Sequence, residues 1–286
     1  MPELPEVETV RRSFVRARLQ GPVTAVWRSA KALRTGNAWN QENLQALEGA
    51  RPGKLQRRGK FLVWRFDTDA GTLGWLVHLG MSGRFVIARP DTQREPHTHV
   101  VVSFEDGREA RFVDPRRFGG MRVAPIEQLF AEPPLSDLGP EPLARGFDMA
   151  CLERAAGKSK RALRDVLLDQ RVVAGVGNIY ANEALFEARL HPLLPAYRLS
   201  ESAWLRLADA VVSVLTRGLS NGGTTLRDYR DGNGRAGRNQ DALNVYGRAG
   251  ESCHDCSAVI VGFTLGGRGG AFCPEHQRRS RARRVP

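Results

Sequence analysis

The sequence predicts a multidomain α+β chain. An antiparallel sheet or sandwich comes first, then helices, then a small hairpin module. Three observations predict this. Short runs rich in β-branched and aromatic residues crowd the stretch from 61 to 113, divided by turn signals such as Glu105-Asp106-Gly107. Apolar residues then recur every three or four positions in segments between 160 and 218. Two ligand pairs, Cys253-x2-Cys256 and Cys273-x2-His276, stand near the C-terminus. A length of 286 residues suits about two domains of roughly 150 residues each.

Taken in order, residues 5–19 read as a helix, with Pro5 in its first turn and Val7, Val10, Phe14 and Ala17 on one face. The β-rich runs are 61–66, 74–79, 84–88, 99–104 and 110–113. Residues 126–150 carry Pro133, Pro134, Pro140 and Pro142 and read as a linker. Helices follow at 160–169, 179–189 and 201–218, and the glycine-rich 231–238 reads as a mobile loop. The expected domains are 1–130, a linker at 131–150, a helical domain at 151–242, and a finger with a basic tail at 243–286.

Lys plus Arg number 43 against 31 Asp plus Glu, a formal net charge of +12. The isoelectric point of about 10.4 points to a polyanionic partner, because clustered cations supply most non-specific nucleic-acid affinity. No apolar run approaches the ~18 residues of a membrane span, and the N-terminus lacks the apolar stretch of a secretory signal. Four cysteines are too few for a disulfide scaffold, and Cys151, far from the others, reads as a buried thiol. The expected location is the bacterial cytoplasm, in association with the nucleoid.

The N-terminus carries a candidate nucleophile. Removal of Met1 would leave Pro2 with a free secondary amine, whose pKa near ~8 leaves part of it neutral at pH 7. Such an amine attacks a carbonyl or sugar carbon to give an iminium. The plain alternative is that Pro2, Glu3, Pro5 and Glu6 merely start a helix. The Cys253, Cys256, Cys273, His276 spacing is that of a closed tetrahedral zinc site, with the pairs joined by a hairpin and no position left for water; the metal is expected to be structural. His254, next to Cys253, is a strained rival ligand. In VAGVGNIY (173–180), Gly175 and Gly177 precede Asn178, a suitable N-cap for a phosphate-binding helix start. Two loops, His78 to Arg84 and Asp114 to Gly120, combine apolar tips with arginines, as wedges that unstack duplex DNA do. Arg57-Arg58-Gly59-Lys60 reads as a basic turn. His97-x-His99 is expected on an edge strand, serving structure or phosphate contact.

These segments together resemble the bacterial formamidopyrimidine-DNA glycosylase family from end to end: MPELPEVETVRR at the start, RRGK at 57–60, HLGMSG at 78–83, DPRRFG at 114–119, VAGVGNIYANE at 173–183, LNVYGRAGESC at 243–253 and GGRGGAFCPEHQ at 266–277. The resemblance implies an N-terminal β-sandwich flanked by helices, then a helix–two-turn–helix domain with a β-hairpin zinc finger. It implies a monomeric glycosylase and AP lyase that removes 8-oxoguanine and formamidopyrimidines from duplex DNA. Pro2 would be the nucleophile, Glu3 the acid/base, Glu6 an organiser and Lys60 a phosphate contact near the lesion. Met81, Arg116 and Phe118 would fill the gap left by the extruded base. Lys160, Asn178 and Arg268 would bind phosphates, and His78, His99 and Arg238 are assigned to the DNA surface with them. Acid chemistry at neutral pH requires that burial raise the Glu3 pKa.

Two positions depart from the family pattern. His276 stands where the finger usually has a fourth cysteine, which leaves the site one unit less negative. Gly237-Arg238-Asn239 replaces an aromatic pair in the loop over the extruded base, so base selectivity is less determined than lyase chemistry. Competing readings are an oxidised-pyrimidine glycosylase resembling endonuclease VIII, against which HLGMSG and DPRRFG argue, and a non-catalytic zinc protein that binds damaged DNA. A zinc hydrolase is disfavoured by the closed metal site.

Overall fold

The computed structural model describes residues 1–33 and 43–279. The arginine-rich tail from 280 lies outside the described residues. The chain divides into two compact units, Met1–Asp137 with Gly218–Gln240, and Leu138–Arg217 with Asp241–Pro286.

The first unit holds two four-stranded antiparallel sheets. One runs β1 (Val23–Arg28), β6 (Thr98–Phe104), β7 (Glu109–Val113), β5 (Arg84–Ala88); the other runs β2 (Arg51–Arg58), β3 (Phe61–Thr68), β4 (Gly71–His78), β8 (Gly120–Pro125). Helix α1 (Leu4–Ala17) adds Val7, Val10 and Phe14 to their shared core. There Phe14 stacks on Phe85 at 4.4 Å and meets the Trp64 edge at 5.6 Å. This is the expected sandwich.

The strands beyond the expected five are β1, β2 and β8, and all three lie at sheet edges. Edge strands satisfy only one side of their backbone and tolerate polar residues and proline. β2 reads RPGKLQRR with one fully buried side chain, so its sequence shows no apolar alternation. The reverse holds for His97-x-His99: β6 is an inner strand, not an edge. The expected linker opens as helix α2 (Ile126–Ala131), which packs on β4 so closely that a Cβ at Gly74 would come within 2.5 Å of Leu129.

The second unit contains α3 (Met149–Ala156), α4 (Leu163–Leu168), α5 (Asn178–Glu187), most of α6 (Glu201–Ser220) and the hairpin β9 (Val261–Leu265) with β10 (Arg268–Phe272). The finger is not a unit of its own, because buried polar side chains on α4 and α5 bond its backbone. Residues 218–240, expected with the helices, belong to the first unit instead, where Ile87 N–H donates to Gly232 O at 2.9 Å. That bond and a turn built on the Asp231 carboxylate, which accepts from Asn233 N at 2.8 Å and Arg235 N at 2.9 Å, tie down the segment expected to be a mobile loop.

Candidate active site and nucleic-acid interface

Pro2 to Glu6 are all buried, whereas Met1 is 51% exposed. Glu3 is the N-cap of α1, and Pro5 lies in the first turn, where its missing N–H has no helical partner to lose. The Glu6 carboxylate is the organising group. One oxygen accepts the Glu3 N–H at 2.8 Å and the other accepts the Thr224 N–H at 2.6 Å. Sequence reading missed the far side of this contact. Gly223 has a φ of +88°, and a Cβ there would sit 3.1 Å from Glu6. The Tyr229 hydroxyl reaches the carbonyls of Gly222 at 3.1 Å and Glu6 at 3.3 Å. Burial, helped by the Glu6 charge, holds its pKa well above the ordinary phenol value, so it donates as a neutral group. Asn239, next to Arg238, is 3% exposed and donates to Thr224 Oγ1 at 2.9 Å. No local pattern marks these residues, because their link to the N-terminus runs through Glu6, 218 positions from Thr224 and 223 from Tyr229.

Lys60 is 6% exposed and follows Gly59, whose φ of +53° turns the chain between β2 and β3. Its neighbour His78 is half-buried against the Phe61 ring, with centroids 4.8 Å apart. Desolvation, reinforced by the Lys60 charge, pushes the His78 pKa down to about 4. The ring is therefore neutral at physiological pH, and its Nδ1 accepts the Gly80 N–H at 3.3 Å. His78 thus serves the base of its loop as a hydrogen-bond acceptor and supplies no cation.

The two wedge-like loops meet. Met81 is 42% exposed at the tip of one, and on the other the Arg116 guanidinium lies 4.8 Å from the centre of the Phe118 ring. Between them Asp114, fully buried, accepts Ser82 Oγ–H at 2.6 Å and Gly119 N–H at 2.7 Å. His99 does not belong to a DNA surface. It is 2% exposed, with Nδ1 3.0 Å from Ser29 Oγ and Nε2 3.0 Å from Asp114 O, and burial holds its pKa below the ordinary value. Its ring is enclosed by Ser29 and the Asp114 backbone.

In the second unit, Gly177 is the N-cap of α5 and Asn178 its first residue, so Asn178 does not cap with its side chain. Asn178 Nδ2 instead donates to Gly269 O at 2.7 Å, and Asn182 Oδ1 accepts Ala271 N–H at 3.0 Å. Arg164, fully buried on α4, bonds the carbonyls of Arg268 at 3.0 Å and Leu265 at 2.5 Å. Exposed Lys160 and Arg268 share this unit with half-buried Asn178; exposed Arg238 belongs to the first.

The metal-ligand candidates converge. The ligand atoms of Cys253, Cys256, Cys273 and His276 all lie within 4.8 Å of one another, with Cys256 Sγ and Cys273 Sγ 3.5 Å apart and Cys253 Sγ 3.6 Å from His276 Nδ1. Bonds of about 2.3 Å in a tetrahedron give edges of roughly 3.8 Å, so the cluster fits one metal ion. Gln277, 1% exposed, accepts Cys273 N–H and donates to Leu190 O. The His276 ring stands edge-on to Phe186 at 5.6 Å. His254 is not in the cluster, and Cys151 is half-buried rather than buried.

Residues 1–121 match the family model for the formamidopyrimidine-DNA glycosylase N-terminal domain, and 138–230 match that for the formamidopyrimidine-DNA glycosylase H2TH domain. The chain is 42% identical to the formamidopyrimidine-DNA glycosylase of Geobacillus kaustophilus over 283 residues, spanning 97% of this chain and 100% of that protein. The glycosylase of Teredinibacter turnerae is also 42% identical, with the same two coverages. Among solved structures, the MutM (Fpg) protein of Thermus thermophilus superposes with a TM-score of 0.85 at 39% identity, covering 96% of this chain and 98% of that one. Lactococcus lactis Fpg in complex with abasic-site DNA gives 0.87 at 32%, with coverages of 97% and 100%.

Proposed function

The chain belongs to the formamidopyrimidine-DNA glycosylase family, and from that premise we propose that it excises oxidised purines from duplex DNA and then cleaves the strand. The observation that carries this reading is the fixed N-terminus: Pro2 and Glu3 are buried side by side at the start of α1, with Glu6 tethering that turn to Thr224.

Once Met1 is removed, the Pro2 nitrogen attacks C1′ of the damaged nucleotide. The C1′–base bond breaks and the base leaves with a proton. Glu3 gives a proton to the sugar-ring oxygen as the ring opens, which leaves an iminium between Pro2 and C1′. The iminium acidifies the C2′ protons; loss of one expels the 3′ phosphate, and a second elimination expels the 5′ phosphate. Lys60 contacts a phosphate at the lesion, while Met81, Arg116 and Phe118 fill the space of the extruded base, offsetting an unstacking cost of a few kcal/mol. Lys160, Asn178 and Arg268 bind the flanking backbone, and Arg238 contacts phosphate. The Cys3His cluster holds one zinc ion. Its four protein ligands close the coordination sphere, so it supplies structural order and no activated water.

The protein acts as a monomer in the bacterial cytoplasm at the nucleoid. Among the described residues no helix is long and apolar enough to cross a membrane. Borohydride reduction during reaction with an 8-oxoguanine:cytosine duplex traps a covalent adduct that Pro2→Gly greatly weakens. Failure of the wild type to form any adduct would refute the mechanism. Intact mass reports whether Met1 is gone; a retained Met1 blocks the amine and favours the non-catalytic reading. Preferential excision of thymine glycol would support the oxidised-pyrimidine reading instead.

A further inference from the structure

We propose that Asp114 is a positioning residue that couples Met81 to Arg116 and Phe118, so that the two loops probe DNA as one rigid piece; this rests on the wedge role given to those three residues above. One buried carboxylate joins both loops. Its Oδ1 accepts Ser82 Oγ–H at 2.6 Å, next to Met81, and the Arg116 N–H at 3.2 Å. Its Oδ2 accepts Gly119 N–H at 2.7 Å, next to Phe118. The Asp114 backbone is itself anchored, its N–H donating to His97 O and its carbonyl lying 3.0 Å from His99 Nε2. The loops also touch backbone to backbone. Gly80 adopts a φ of +62°, and a Cβ there would come within 2.3 Å of the Phe118 carbonyl carbon.

The coupling matters for one of the two steps. Extruding a stacked base requires that the void be filled as it opens, which fixes the positions of Met81, Arg116 and Phe118 relative to one another. An abasic site has no base to extrude, so strand cleavage there bypasses this demand. Asp114 and Ser82, both buried, therefore govern base excision and leave abasic-site cleavage largely alone.

Single-turnover rates on an 8-oxoguanine duplex and on a preformed abasic-site duplex test this in the full-length protein. Ser82→Ala, which removes one hydrogen bond to a charged group, is expected to slow base excision about tenfold. Its abasic-site cleavage should stay within about twofold of wild type. In a Met81→Ala background the same substitution should cost little more, because both act through one element. Asp114→Asn is expected to lose more; if it fails to fold, Ser82→Ala carries the test alone. Equal losses on the two substrates, full additivity with Met81→Ala, or no loss in Ser82→Ala would each overturn the coupling. If Met81→Ala itself left base excision intact, the wedge reading would fall. Impairment by Met81→Ala with Ser82→Ala unaffected would remove the coupling alone.

Discussion

Gly223 shows how a residue with no chemistry of its own shapes the reactive end. Its φ of +88° lies in the left-handed region, and its Cα faces the Glu6 carboxylate that tethers Glu3. Gly223→Ala should cost about 1–3 kcal/mol in strain, read as a lower thermal midpoint, and should reduce adduct trapping more than it reduces DNA affinity. His78 gives a pH prediction. Its folded pKa of about 4 lies below the ordinary 6.5, so the folded state resists a proton that the unfolded chain accepts. The stabilisation is complete above pH 6.5 and is lost as pH falls toward about 4. Chemical denaturation from pH 7 to pH 4 should therefore show a wild-type decline that is shallower in His78→Gln. The motif containing His78 was plain in the sequence, but its neutral state depends on desolvation and on the neighbouring Lys60, which spacing does not report.

At the level of elements, the β9–β10 hairpin is bound to α4 and α5 by buried and half-buried polar side chains. Arg164 bonds two hairpin carbonyls, Asn178 a third, and Asn182 accepts a hairpin N–H. Arg164→Met removes two part-buried hydrogen bonds from a charged donor, at about 1.5–3 kcal/mol each. The expected result is a lower unfolding midpoint and weaker DNA binding, with zinc content unchanged. Arg164→Lys should not rescue, because a single ammonium cannot reproduce the guanidinium fork. The inner strands β3, β4, β6 and β7 were legible because most of their buried residues are apolar, although β7 also buries the Glu109–Arg111 ion pair. The edges β1 and β2, being largely exposed, carried no such pattern. Helix α5 was legible from its run of apolar residues, although it is buried on every face rather than along one stripe; its cap was misplaced by one residue, because the Asn178 side chain is recruited by Gly269 across 91 positions.

For the whole molecule, Cys256→Ala should release the zinc and lower DNA affinity while the sandwich still unfolds cooperatively, seen as one retained calorimetric transition. The net charge of +12 predicts steep salt dependence. Lys160→Ala and Arg268→Ala should each reduce the slope of log Kobs against log salt by about 1 without changing lesion preference. The sequence by itself determined the fold class, the nucleophile candidate, the four residues of the candidate metal cluster and the strongly basic charge. Those properties reside in residue type and short spacing: a tetrahedral site needs two close pairs, and an inner strand needs apolar side chains. Only the tertiary structure decided that residues 218–240 fold onto the N-terminus, that His99 serves the core, and that Asp114 joins the two loops. Each of these depends on a buried polar group finding its partner far along the chain. The cost of leaving such a group unsatisfied enforces the pairing, and that cost is set by burial in three dimensions, which no local pattern encodes.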